Sequence, residues 1–188
     1  IGGVFIGRDD IDRPTSRINR NARARGPRRP RNAYANTGRA VIFAIDAGVR
    51  KCGIALFDEK GILQGAYTVH NPDRLNRNVW AWRAMVDAVY SSIIAADLIV
   101  IETMQNDGRV ITDALDVQIV CGMIIGRAPC EVITYTPRQW KGQTPKAVTI
   151  ARIKRDLTPA ELDRIDKKAT HDAYDAIGIG RYHLNKND

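Results

Sequence analysis

Four acidic residues stand at positions where their chemistry could be joint: Asp46, Glu102, Asp172 and Asp175. Asp46 closes the apolar run Val41-Ile42-Phe43-Ala44-Ile45, and Glu102 closes Leu98-Ile99-Val100-Ile101. A carboxylate ending a buried strand is costly unless it is solvated, paired or bound to a cation. Asp172 and Asp175 are spaced i, i+3, which places both on one face of a helix. If the two strands are neighbours and that helix starts beside them, the carboxylates converge and repel one another unless divalent cations lie between them. Hard oxygen donors of this kind suit Mg²⁺ or Mn²⁺. Two such ions about 4 Å apart stabilise both the attacking and the leaving oxygen in phosphodiester hydrolysis. Each acid also has a plain reading: a turn former before Gly48, a solvated strand end, or two acids favouring the positive end of a helix. The joint pattern is what points to chemistry.

The elements that must position these acids follow in order along the chain. The run 41–46 is β-branched at Val41, Ile42 and Ile45 and reads as a strand buried on both faces. A turn at 48–51 leads to Gly53-Ile54-Ala55-Leu56-Phe57, a second turn at 58–61 leads to a strand over 62–69, and three strands so joined predict an antiparallel meander. Residues 75–95 carry Val79, Trp82, Val86, Val89 and Ile93 at helical spacing, with Trp80 and Trp82 read as packing residues. Leu98–Glu102 is a further strand. Thr112 is placed to cap a helix running to about Gly126. Its second half, Ile119 to Ile125, is apolar nearly all round, so it is deeply buried or shared with another subunit. Residues 132–135 form the fifth strand, and 136–142 lead to a helix over 146–157. Thr158-Pro159-Ala160-Glu161 opens a short helix, and 170–184 form the last. This order predicts an α/β fold: a mixed five-stranded sheet, three antiparallel strands followed by strand–helix alternation, with helices on both faces.

A length of 188 residues suits one domain plus an appendage. Residues 1–39 hold ten Arg and three Asp, a net +7, whereas the remainder sets nineteen Lys or Arg against eighteen acids, a net +1. The run from Arg23 to Arg31 cannot bury a core and is expected to be an extended or disordered arm. Arg28, Arg29 and Arg31 then read as phosphate contacts, a solubilising tail being the plain alternative. The globular domain is expected over 40–188. No apolar run approaches the roughly 18 residues of a membrane helix, and the Arg-rich start shows no signal-peptide pattern. A membrane role is therefore not expected, and a cytoplasmic location is. Cys52, Cys121 and Cys130 form no CxxC pair and read as buried, reduced thiols. His70, His171 and His183 are too scattered for a zinc site.

Ile45-Asp46-Ala47-Gly48 through Gly53-Ile54-Ala55 resembles the first motif of the RuvC-type Holliday junction resolvases, which have the RNase H-like fold. Val100-Ile101-Glu102 resembles the second motif, and His171-Asp172-Ala173-Tyr174-Asp175-Ala176-Ile177 the C-terminal one. The resemblance spans residues 40–184. It implies a homodimer that cuts four-way DNA junctions symmetrically, with two Mg²⁺ (or Mn²⁺) ions per site, in a bacterial or phage-infected cytoplasm, an organelle being the alternative setting. By that match Asp46, Glu102, Asp172 and Asp175 are the catalytic residues and metal ligands, with His171 as an assisting neighbour. Tyr135 through Lys141 is similar to the segment whose lysine approaches the scissile phosphate. Lys141 and Lys146 are then its two basic residues, and Arg138 and Trp140 suit contact with the DNA backbone. The helix from about Asp113 to Gly126 matches the dimer helix.

The chain departs from the pattern in two places. Ala47 stands where the family often has Pro, and Thr103-Met104-Gln105 offers no aromatic wedge to open a junction, leaving Met104 as the residue placed to insert. Two other functions fit the same residues: a YqgF-like or RNase H-like nuclease acting on RNA, and a non-catalytic RNase H-like module that binds nucleic acid through its arm. The lysines after the fifth strand and the apolar helix favour the resolvase over the RNA nuclease. Retention of all four acids disfavours a pure binder, which would gain by shedding negative charge near phosphates.

Overall fold

The computed structural model describes residues 41–73, 78–104 and 112–187. The basic arm, with Arg28, Arg29 and Arg31, lies outside the described residues. The strands are β1 (Ile42–Asp46), β2 (Lys51–Phe57), β3 (Leu63–His70), β4 (Leu98–Glu102) and β5 (Glu131–Tyr135). The helices are α1 (Val79–Ile93), α2 (Thr112–Ile125), α3 (Pro137–Trp140), α4 (Lys146–Asp156), α5 (Pro159–Leu162) and α6 (His171–Asn187). The strands form one mixed sheet in the order β3-β2-β1-β4-β5, the first three antiparallel and β1, β4 and β5 parallel. This is the five-stranded α/β architecture expected from the sequence.

The faces of the sheet follow from connection handedness and strand parity. The crossovers β3-α1-β4 and β4-α2-β5 both move the same way along the sheet, so right-handed connections put α1 and α2 on one face. Phe43, Ile45, Ile54 and Ile101 meet Met85 and Ile124 there. The alternate residues Ala44, Ala55, Phe57 and Val100 meet Ala173 and Ile177 of α6 on the other face. Burying one such large apolar side chain contributes about 1.5–3 kcal/mol, and the sheet is covered on both sides. A bulge opposite Leu56 and Phe57 adds one residue to β3. It turns Leu63 to the α6 side together with Ala66.

Beyond α5 the chain returns to the sheet. Ile165 makes a single parallel bridge to Ala66 of β3, with Asp166 N–H donating to Ala66 O at 2.8 Å. Glu161 ties α5 to the same strand: it accepts from Leu63 N–H at 2.9 Å, closes the Thr158 capping box and pairs with Arg181.

Three expectations change. Trp80 is 75% exposed and Val79 53%, because in the first turn of α1 these two face outward while Ala81 and Trp82 face the core, so of the two tryptophans only Trp82 is a core residue. Of the two expectations for α2, deep burial does not hold in the single chain: Val120, Cys121 and Ile124 face the core, while Leu115, Ile119 and Ile125 are exposed. The helical turn α3 was not expected. Thr136-Pro137-Arg138-Gln139 carries the same box as Thr158-Pro159-Ala160-Glu161, with Gln139 Oε1 accepting from Thr136 N–H at 2.7 Å. Among the described residues no helix is long and apolar enough to cross a membrane.

Candidate active site

The two strand-end acids stand side by side. Asp46 and Glu102 are register partners across the parallel β1–β4 pair. Both share the parity of Ala44 and Val100, so both belong to the face that α6 covers. The other register neighbour of Asp46 is Gly53. A Cβ at Gly53 would lie 1.9 Å from the backbone oxygen of Asp172. The missing side chain is what lets the first turn of α6 seat against β2 and bring Asp172 and Asp175 to the strand ends. All four predicted acids therefore meet at one end of the sheet.

Their electrostatics record this crowding. Burial, and then the charges of Glu102, Asp175 and Asp172, push the Asp46 carboxyl well above the usual carboxylate range. Asp172 goes the other way: burial alone would raise it, but hydrogen bonds from Lys51 and Thr170, with charge from His171, hold it below the ordinary value. Lysines stand on three of the acids, with Lys51 Nζ 2.5 Å from Asp172 Oδ2, Lys146 Nζ 3.0 Å from Asp175 Oδ2, and Lys141 Nζ 3.4 Å from Glu102 Oε2. Glu102 Oε2 also accepts from the indole N–H of Trp140, whose ring lies flat enough against α6 that a Cβ at Gly178 would sit 2.5 Å from it. Lys141 Nζ lies 4.6 Å from the centre of the same ring.

Among the described residues no three Asp, Glu, His or Cys side chains enclose a ready-made metal site. Each outer carboxylate is turned to its own lysine instead. The donor set nevertheless fits a hard divalent cation: all four candidate ligands are carboxylates, and Asp175, only 3% exposed, keeps Oδ1 buried without a hydrogen-bond donor. The residues able to hold the ion are Asp46, Glu102, Asp172 and Asp175.

The remaining predicted residues fall in different places. Lys141 and Lys146 flank the acids, Trp140 braces Glu102 from a partly buried position, and Arg138 lies exposed on α3. His171 Nε2 lies 3.0 Å from Asp172 Oδ1, and Met104 is partly buried just beyond Glu102. Cys52 and Cys121 are buried free thiols pushed up to about 12 by burial, and Cys130 is free and partly buried. Sequence reasoning missed Lys51, Thr68 and Thr170. Positions 51, 53, 55 and 57 share one face of β2, so the parity that puts Gly53 under α6 was the available signal for Lys51.

No protein-family model matches the chain, and no curated protein matches it. Solved structures do. Thermus thermophilus RuvC in complex with a Holliday junction substrate is 18% identical, with a TM-score of 0.55 over 77% of this chain and 92% of that one. The fowlpox virus Holliday junction resolvase is 15% identical, with a TM-score of 0.52 over 78% of this chain and 99% of that one. The complex of the fowlpox enzyme with Holliday junction DNA is 13% identical, with a TM-score of 0.50 over 77% and 99% of the two chains. At these identities the likeness is one of fold: this chain has the mixed five-stranded sheet with flanking helices that those resolvase structures share.

Proposed function

We propose that this chain is a divalent-metal-dependent DNA endonuclease that resolves four-way junctions by phosphodiester hydrolysis. The observation that carries the reading is the register pairing of Asp46 with Glu102, with Asp172 and Asp175 brought onto them through Gly53. Structures that share the fold include resolvases solved with Holliday junction DNA, which supports branched DNA as the substrate. Mg²⁺ or Mn²⁺ held by the four carboxylates would stabilise charge on the attacking and leaving oxygens. The chain supplies the rest. Trp140 fixes the Glu102 carboxylate, and Lys141 and Lys146 offer charge to the phosphates beside the cut. The arm, through Arg28, Arg29 and Arg31, adds non-specific affinity.

Symmetric cutting needs two sites, and the exposed face of α2 supports a two-fold dimer. Leu115 is 56% exposed, Ile119 44% and Ile125 37%. Helices α4 to α6 belong to the opposite side of the sheet and so do not cover this patch, which monomers usually avoid. A two-fold pairing presents the same patch from both copies.

The test is cleavage of a synthetic four-way junction beside a linear duplex and an RNA–DNA hybrid, each with and without Mg²⁺. Paired nicks in the junction alone, only with Mg²⁺, are expected. Cutting of the hybrid in preference would replace this reading with an RNA-directed nuclease, and retention of every substrate uncut would leave a binding module.

A further inference from the structure

Asp172 differs from the other three acids in how fully this chain's own donors occupy it. Its Oδ2 takes Lys51 Nζ at 2.5 Å and the Thr170 hydroxyl at 2.5 Å, and its Oδ1 faces His171 Nε2 at 3.0 Å. Thr170 is in turn anchored on β3: its N–H donates to Thr68 Oγ1 at 2.9 Å, and the two hydroxyls lie 3.1 Å apart. Asp175, in contrast, keeps one oxygen without a donor. Lys51 comes from β2, on the side of β1 opposite to β4 and β5, whereas Lys141 and Lys146 follow β5. Its side chain is 26% exposed and hangs on a flexible four-carbon stem, so the ammonium can reach a phosphate laid across the carboxylates. An ammonium and a divalent cation on one carboxylate oxygen repel at contact distance.

We propose that Lys51 is the resident counter-ion of Asp172 and is handed to a DNA phosphate when substrate arrives, so that Asp172 becomes available to a divalent cation mainly in the substrate complex. Lys51 is a positioning residue in this scheme, since it acts through Asp172. It couples cation loading to the presence of DNA and limits loading of the free protein. The inference rests on the reading of the four acids as metal ligands.

The test measures two properties of the full chain: Mn²⁺ binding without DNA, by electron paramagnetic resonance, and junction binding in chelator as a function of salt. Lys51→Gln should bind Mn²⁺ about tenfold more tightly, because a repelling charge is gone. It should bind the junction more weakly, with a log affinity–log salt slope shallower by about 0.9, the worth of one phosphate contact. Lys51→Arg should restore wild-type behaviour in both. Damage to the fold would weaken both interactions, so the opposite signs are the discriminating result. Mn²⁺ affinity of Lys51→Gln that is unchanged or weaker overturns the proposal. Asp46→Asn separates the two ideas: if it abolishes Mn²⁺ binding while Lys51→Gln changes nothing, the inference alone fails. If Asp46→Asn has no effect either, the metal-site reading fails with it.

Discussion

A carboxyl held above its ordinary pKa by burial and three neighbouring acids is a site where activity and stability oppose each other. Asp46 is such a group. Its unfolded value is near 3.9, so the folded state holds the proton more tightly. Stability therefore falls as pH rises from the unfolded value to the raised folded one, and the penalty is constant above that. Asp46→Asn should abolish cleavage, leave junction binding intact or tighter, and melt about 3 °C or more above the wild type at pH 7 in chelator. The gain should vanish near pH 4. A calorimetric pH series on both proteins checks it, and normal turnover by the variant in Mg²⁺ would remove Asp46 from the site. Asp46 and Glu102 were legible in the sequence because a buried strand announces its end with its first polar residue. Lys51 was not: a lysine beside a turn reads as solvated, and only the docking of α6 reveals that it faces an acid. Trp140 was read as a DNA contact; that its indole N–H also donates to Glu102 was not legible, because a pairing between elements is encoded by no spacing.

At the scale of elements, the site depends on how closely α6 approaches the sheet. Gly53→Ala sets a methyl against the Asp172 backbone, where no side chain can swing aside. It should cost about 3 kcal/mol and displace Asp172 and Asp175 from Asp46. Loss of cleavage with a lowered melting point is the expected pair of results. Wild-type activity would show that α6 tolerates the shift. Glu161 makes a separate tie, from α5 to β3. Burial would raise its carboxyl, but donors on Leu63 and Thr158 and the charge of Arg181 hold it below the ordinary value. Its contribution is present above the unfolded value of about 4.3 and is lost as pH falls through the lower folded one. Glu161→Gln should destabilise by about 1–3 kcal/mol at pH 7, measured by denaturant melts. The difference should shrink in acid, where the wild-type group is also neutral. Element order was readable from periodicity and turns. The exposure of Val79 and Trp80 at the start of α1 was not, because a period identifies a helical face without saying how far the partner extends beneath it.

For the whole molecule, charge and surface make separate predictions. Removal of residues 1–39 takes away ten Arg and should flatten the salt dependence of DNA binding with little loss of stability. An unchanged slope would mean that the arm does not touch DNA. Sedimentation equilibrium should give a dimer at tens of micromolar, with Leu115→Lys/Ile119→Lys shifting it toward monomer; both side chains are exposed in the single chain, so the fold should persist while the melting point loses its dependence on protein concentration. A wild-type monomer would remove the dimer and the simplest account of paired cuts. The architecture itself was legible, since three hairpin-joined strands followed by strand–helix alternation leave few topologies. The bridge between Ile165 and Ala66 was not, being one contact across a hundred residues of chain. It bears on how the protein behaves when concentrated. A strand edge with free amides is a template for stacking further chains. Among the described residues, the β3 border of the sheet is occupied at its middle by the chain's own backbone, whereas no such bridge is made on the five-residue β5 border. Concentrating this protein should therefore recruit further strands at the β5 border before the β3 border, and a lysine placed on β5 should keep it dispersed.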